Sequence, residues 1–251
     1  MLGKAIYCES MKCKGTLIWP AFVLIPVIPI LLGSGNYLSN LDLLESEWYS
    51  LWTQVTLFYT TFFYAPLIGA YCAFLWRHEN FNSCRNALFS APVSHSTIYL
   101  SKFALVCILS VLTQLWFTIL FLAAGKMAGL PGLPSAHIFS WIVRGMAGAA
   151  VIASLQFFIA TEIRNFATPI AIGLVGGVAG LLAANTKPGI CFPYSLMLLG
   201  MNSNRSEDVL GQNTPIFFLI CGLYLAVFTL AGVHRMKGGG SCHTACRHHA
   251  R

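Results

Sequence analysis

The sequence predicts an all-α, polytopic membrane protein, and three observations predict it. Hydrophobic residues make up 57% of the chain and charged residues only 9%, against about 45–50% and about 25% in ordinary soluble domains. Mean hydropathy is +0.70. Six apolar runs approach or exceed the roughly 17–25 helical residues that cross a hydrocarbon core of about 30 Å. Unpaired backbone amides do not persist in lipid, so a span is either a helix or a strand of a closed barrel. Runs of this length without strict alternation select helices. A soluble enzyme, a disordered chain and a nucleic-acid binder are excluded. The formal charge of +7 sits in short segments between the apolar runs, where a membrane-topology rule accounts for it.

The predicted spans are Leu17 to Leu32, Trp52 to Trp76, Phe103 to Ala124, His137 to Ala160, Phe166 to Ala184 and Pro215 to Val233. The first is short and carries Pro20, Pro26 and Pro29. These predict a kinked helix whose freed carbonyls are taken up by neighbouring helices, polar side chains or water. A cleaved signal peptide competes for this run because Gly33-Ser34-Gly35 follows it. The long basic preamble and the lack of an Ala-x-Ala site favour retention.

Orientation follows from the basic residues. With the N-terminus inside, the inner segments hold Lys4, Lys12, Lys14, Arg77, Arg85, Lys102, Arg164, Arg235, Lys237, Arg247 and Arg251, while the outer loops hold Lys126, Lys187 and Arg205. This bias predicts cytoplasmic termini. Asp42, Glu45, Glu47, Glu207 and Asp208 fall outside. Trp48, Trp52 and Trp141 are expected at the outer interface and Trp19 and Trp76 at the inner one, as amphipathic rings prefer. Trp116 falls mid-span and reads as internal packing.

Cysteine spacing gives no disulfide framework, because Cys191 is the one cysteine in an outer loop. Cys242, Cys246, His243, His248 and His249 cluster near the C-terminus, a composition suited to soft metals in a spacing that matches no standard site. No metal site is predicted. With Gly238-Gly239-Gly240-Ser241 before them, residues 237–251 read as a flexible tail.

Two inner segments stand out. Residues Leu2 to Lys14 form an amphipathic candidate, with Leu2, Ala5, Ile6 and Cys13 leaning one way and Lys4, Glu9 and Lys12 the other. It reads either as an interfacial helix or as a basic topological flank. The connection from Trp76 to Ser94 is too long for a simple turn and holds a helix-compatible piece stopped by Pro92, with Ser94 placed to cap the next helix. It reads either as a cytoplasmic helix presented to a partner or as a solvated loop.

Glu79, Arg85, the run Leu88-Phe89-Ser90-Ala91-Pro92-Val93-Ser94 and Lys102 resemble the E…R…L-x-S-x-P-V-S…K signature of lantibiotic-immunity ABC transporter permeases. Phe192-Pro193-Tyr194-Ser195 resembles the aromatic, proline-containing segment that this family tends to carry near its outer face. The resemblance covers nearly the whole chain except the tail, leaving 1–236 as one permease domain. It implies a six-span export permease in the bacterial cytoplasmic membrane, without cofactors, worked by a separate ATP-binding subunit and paired with a second permease copy or homologue. In agreement, the chain has no G-x-x-x-x-G-K-[ST] phosphate loop, so the permease itself is not expected to be an enzyme. By the same resemblance the ATP-binding subunit grips the segment from Glu79 to Ser94, with Glu79 and Arg85 in polar contacts and Phe81, Leu88, Phe89 and Pro92 giving apolar anchoring and shape. The implied cargo is a lantibiotic-like peptide expelled for self-immunity. Export of another peptide antibiotic or a lipophilic compound, and a non-transporting structural or sensory role, are the alternatives.

Within the spans, Thr53, Thr56, Thr60 and the pair Gln54 and Thr61 mark the second helix, and Ser110, Gln114 and Thr118 the third. Such stripes face a bundle interior, either as a substrate path or as interhelical hydrogen bonds. Gln54, Thr61, Gln114 and Arg144 are the path candidates. Arg144 is the ionisable residue well inside a span. No carboxylate in the spans is an evident partner, so a functional charge and an arginine snorkelling to the outer interface both fit. Gly173-x-x-x-Gly177 and Gly176-x-x-x-Gly180 permit close helix approach, within the subunit or across a dimer. Gly189 to Gly200 is apolar but short for a span, suiting a re-entrant or surface-lying segment.

Overall fold

The structure, a computed structural model, describes residues 2–44, 46–80, 93–205 and 207–248, without the side chains of His78, Lys187 and 238–248. Among these residues it is all-helical with no strand. Six helical stretches are long and apolar enough to cross a membrane: Ile18–Ser39, Glu47–Arg77, His95–Met127, Ala136–Glu162, Ala167–Ala184 and Gly211–Lys237.

The short amphipathic helix α1 (Leu2–Lys12) precedes the first span. That span is split into α2 (Ile18–Leu24) and α3 (Val27–Ser39), and it runs further than the apolar pattern indicated. The break falls at Ile25-Pro26, where proline withholds a donor from the ladder. The Trp116 indole N–H donates to the Val23 carbonyl there at 3.1 Å. Trp116 is therefore half-buried and bridges helices, in place of the internal packing role expected of it.

The second span comprises α4 (Glu47–Phe58), a π-helical turn over Tyr59–Phe63 and α5 (Tyr64–Asn80). The third is α6 (His95–Met127), whose first turn is capped as anticipated, with the Ser94 hydroxyl accepting from the Thr97 N–H at 3.2 Å. The fourth and fifth are α7 (Ala136–Glu162) and α8 (Ala167–Ala184). The last helix, α10 (Thr214–His248), continues through Gly238–Gly240, where the sequence suggested a flexible linker. A long helix has already met its nucleation cost, so each added residue gains a hydrogen bond.

Between α8 and α10 the apolar segment turns back into the bundle. A 3₁₀ turn over Lys187–Cys191 leads to α9 (Ser195–Gly200), every residue of which is buried. It packs against α7 and α8, so this is a re-entrant element. Glycine makes room for it: a Cβ on Gly148 of α7 would strike the Met197 backbone, and one on Gly180 of α8 would lie 2.8 Å from the Tyr194 carbonyl.

The second glycine stripe of α8 seats the α5 span. A Cβ on Gly177 would strike the Thr61 carbonyl in the π turn, and one on Gly173 would lie 2.7 Å from the Ala65 carbonyl. Both small-residue stripes are thus used inside the subunit, which answers what the sequence left open. In lipid such contact gains dispersion and packing rather than hydrophobic transfer.

The expected tryptophan belt is largely internal. Trp48, Trp52, Trp76 and Trp141 are all buried, while Trp19 is exposed. The Trp52 indole donates to the Met201 carbonyl at 2.8 Å and Trp48 to the Pro131 carbonyl at 2.8 Å. Loop carbonyls inside the fold thus take the place of interfacial water as partners for these rings.

Candidate functional site

At the end of the bundle that carries α1, four charges from three helices meet. Lys102 of α6 has no exposed side-chain surface, and its Nζ lies 2.6 Å from Glu9 Oε2 of α1 and 2.8 Å from Glu79 Oε1 of α5. It also donates to the Leu75 carbonyl at 3.2 Å and sits 5.5 Å from the Trp76 ring centroid. Lys12 of α1 closes the network, 2.8 Å from Glu9 and 3.0 Å from Glu79. Two carboxylates and two ammoniums make the cluster neutral, the condition under which buried ions are tolerated.

The local sequence explains the convergence. Glu9 and Lys12 are three apart on α1 and so share a face. That face turns inward: Glu9 is buried, whereas Leu2, Tyr7 and Met11 are exposed. Sequence reading had grouped Glu9 with the solvated side. Burial pushes the Glu9 carboxyl up, but the Lys102 and Lys12 ammoniums beside it more than offset this and hold it below its ordinary 4.5. Burial pulls Lys12 down, and its hydrogen bond to Glu9 with the Glu79 charge outweighs this, leaving it above 10.5.

Glu79, expected at a partner surface, is 5% exposed and held by Lys12 and Lys102. It lies one residue from the end of α5, immediately before the connection to α6. Phe81, Arg85, Leu88, Phe89 and Pro92 lie outside the described residues. At the same end Arg235 of α10 reaches both Glu162 oxygens at 3.1 Å. This pair is largely exposed and adds little stability.

Two of the path candidates, Gln114 and Thr61, lie in sealed packing, and Gln54 is half-buried. Gln114 is fully buried, accepting from the Tyr59 hydroxyl at 3.3 Å and reaching the Met201 sulfur at 3.6 Å. Thr61 is fully buried too, and Gln54 bonds to Asn36 of α3 at 2.6 Å. Tyr64 pairs with Ser110, and Tyr71 with Thr113 at 3.2 Å. Thr56 and Thr60 return their hydroxyls to carbonyls one turn back, at 2.7 and 2.9 Å. The stripe groups with described partners bond within and between helices, while the buried Thr61 hydroxyl has no partner among the described residues.

At the opposite end Arg144 is 6% exposed and paired. Its Nη1 and Nη2 bind Asp208 Oδ1 and Oδ2 at 3.0 and 2.7 Å, and Nη1 also reaches the Thr214 hydroxyl at 3.5 Å. The partner comes from the connection before α10, so a search confined to the spans missed it. The connection is pinned elsewhere as well: Tyr49 donates to the Arg205 carbonyl, and Arg205 to the Ala184 carbonyl at 2.6 Å. The Arg144 guanidinium holds the Asp208 carboxyl below its ordinary 3.8.

The six-span helical bundle with a short amphipathic N-terminal helix defines a polytopic membrane protein. Residues 5–180 match the family model described as ABC-2 family transporter protein, and the chain belongs to that family. No curated protein and no solved structure matches it. The protein is therefore a permease subunit of an ABC transporter, a transmembrane component that works with an ATP-binding subunit.

Proposed function

We propose that this permease exports a lantibiotic-like peptide from the bacterial cytoplasmic membrane and so protects the producing cell. The α1 end faces the cytoplasm, as the distribution of basic residues predicts. There the ATP-binding subunit grips the segment from Glu79 to Ser94, with Arg85, Phe81, Leu88, Phe89 and Pro92 at the contact. A second permease, identical or homologous, completes the transporter. The single observation supporting this reading is the position of Glu79. It lies one residue before the end of α5, at the start of that segment, and is tied by ion pairs to α1 and α6. A push on the segment therefore reaches three helices together, as rigid-body coupling requires.

The test is lantibiotic tolerance in cells carrying the complete transporter, with and without Glu79→Ala. The reading requires tolerance with the parent chain and its loss in the variant at equal membrane abundance. Unchanged tolerance on deleting the transporter removes the immunity assignment. Altered susceptibility to a different peptide or a lipophilic drug would then identify another cargo.

A further inference from the structure

The flank of the bundle away from α1 carries a cavity of about 430 Å3, lined by Ser140, Val143, Arg144, Asp208, Thr214 and Phe218. Arg144 is more than nine-tenths buried, yet its hydrogen bonding is incomplete. A guanidinium has five N–H donors. Asp208 takes one from Nη1 and one from Nη2, and the Thr214 hydroxyl takes the other from Nη1. The Nε–H and the second Nη2–H have no acceptor among the described residues. Those two donors form the side-on fork of the guanidinium, whose spacing matches two oxygens of one phosphate or carboxylate.

The remainder of the cavity indicates what carries that oxyanion. Val143 and Phe218 are 59% and 42% exposed on spans α7 and α10, so a bilayer places acyl chains over them. Arg144 lies eight residues into α7, about 12 Å along the axis at 1.5 Å per residue, and its partner Asp208 belongs to the connection outside the spans. The pair therefore reaches from inside α7 to the connection that bounds the span, and a lipid headgroup can meet it from that side. Charge then selects among headgroups. The Arg144–Asp208 pair is neutral, so an added phosphodiester alone would leave a net negative charge at the site. An attached ammonium removes that excess. Asp208 is available to it, with a side chain 35% exposed and an Oδ2 that accepts one described hydrogen bond, from Arg144.

We propose that this cavity binds the headgroup of a zwitterionic phospholipid, its phosphate on the open edge of Arg144 and its ammonium against Asp208. The shared chemistry is an ammonium-bearing phosphodiester, and the source is a bilayer lipid. The site does not depend on the identity of the exported cargo.

The experiment is native mass spectrometry of the purified chain in mild detergent with added phosphatidylethanolamine, phosphatidylglycerol or water-soluble glycerophosphoethanolamine. Phosphatidylethanolamine should be retained about tenfold better than phosphatidylglycerol, the scale of one charge-assisted contact. Arg144→Lys keeps a cation for Asp208 but removes the planar fork, and should lower that retention about tenfold while leaving the fold intact. Val143→Trp, which fills the cavity without touching the ion pair, should lower it as well. Equal retention of the two lipids, or parent-level retention by Arg144→Lys in a folded chain, overturns the proposal. Competition by glycerophosphoethanolamine at the lipid's own concentration overturns the bilayer source.

Discussion

The two ends of the bundle are each held by ion pairs, and they use them differently. At the α1 end, four charges from three helices cancel, and Lys102 at their centre has no exposed surface. At the other end one arginine meets one carboxylate on a connection, with the Asp208 side chain 35% exposed and part of the guanidinium left open. The first arrangement joins helices to one another; the second fastens a connection and leaves room for a ligand. The proposed function uses this asymmetry: force entering at the α1 end would spread through three helices, while the far end would be free to admit lipid.

The contrast breaks most readily at Lys102. Lys102→Met leaves Glu9 and Glu79 buried with Lys12 as their one remaining cation in the network and should cost about 3–5 kcal/mol, read as denaturant unfolding in detergent. Adding Glu9→Gln and Glu79→Gln should recover part of the loss, since two amides need no counter-charge. No recovery would mean that packing, and not charge, holds this end. Next in size is Gly177→Val, which forces a side chain onto the Thr61 carbonyl and should cost about 1–3 kcal/mol by the same measurement. Ser94→Ala removes the cap on α6 and should cost about 1 kcal/mol, with faster hydrogen exchange confined to the first turn of that helix.

The smallest effects are those of pH: both ends weaken in acid, and Lys12 gives the α1 end an alkaline limb as well. Glu9 is held below 4.5, so its contribution is full above that value and is lost as pH falls through the lower folded value. Lys12 is held above 10.5, so its contribution is full below that value and is lost as pH rises through the higher folded one. Exchange of α1 amides, corrected for intrinsic rate, should therefore accelerate at both extremes. Asp208 is held below 3.8, so amides of the connection before α10 should respond to Asp208 on the acid side alone.

Much of this architecture was legible in the chain. The six spans, the α1 helix, the Ser94 cap, the proline break in the first span and the re-entrant possibility after α8 all follow from local rules of length, periodicity and backbone chemistry. The partners of the charges did not follow. Glu9 and Lys102 lie 93 residues apart and Arg144 and Asp208 lie 64 apart, and no periodicity relates them. Amphipathicity grouped Glu9 with Lys12 without revealing that the carboxylate is buried, because a solvated carboxylate and one buried against lysine are the same residue in sequence. The partners of the tryptophans were equally hidden: an indole satisfied by an interfacial water and one satisfied by the Met201 carbonyl carry no distinguishing neighbours.

The central claim is that the ATP-binding subunit works on the end where the ion network binds α1, α5 and α6 together. Photo-crosslinking in the assembled transporter tests it most directly, with a photoreactive residue at Leu88 in the connection after α5 and, for comparison, at Leu133, which is 77% exposed at the opposite end. The account predicts a crosslink to the ATP-binding subunit from position 88 and none from 133. A crosslink from 133 with none from 88 would contradict it.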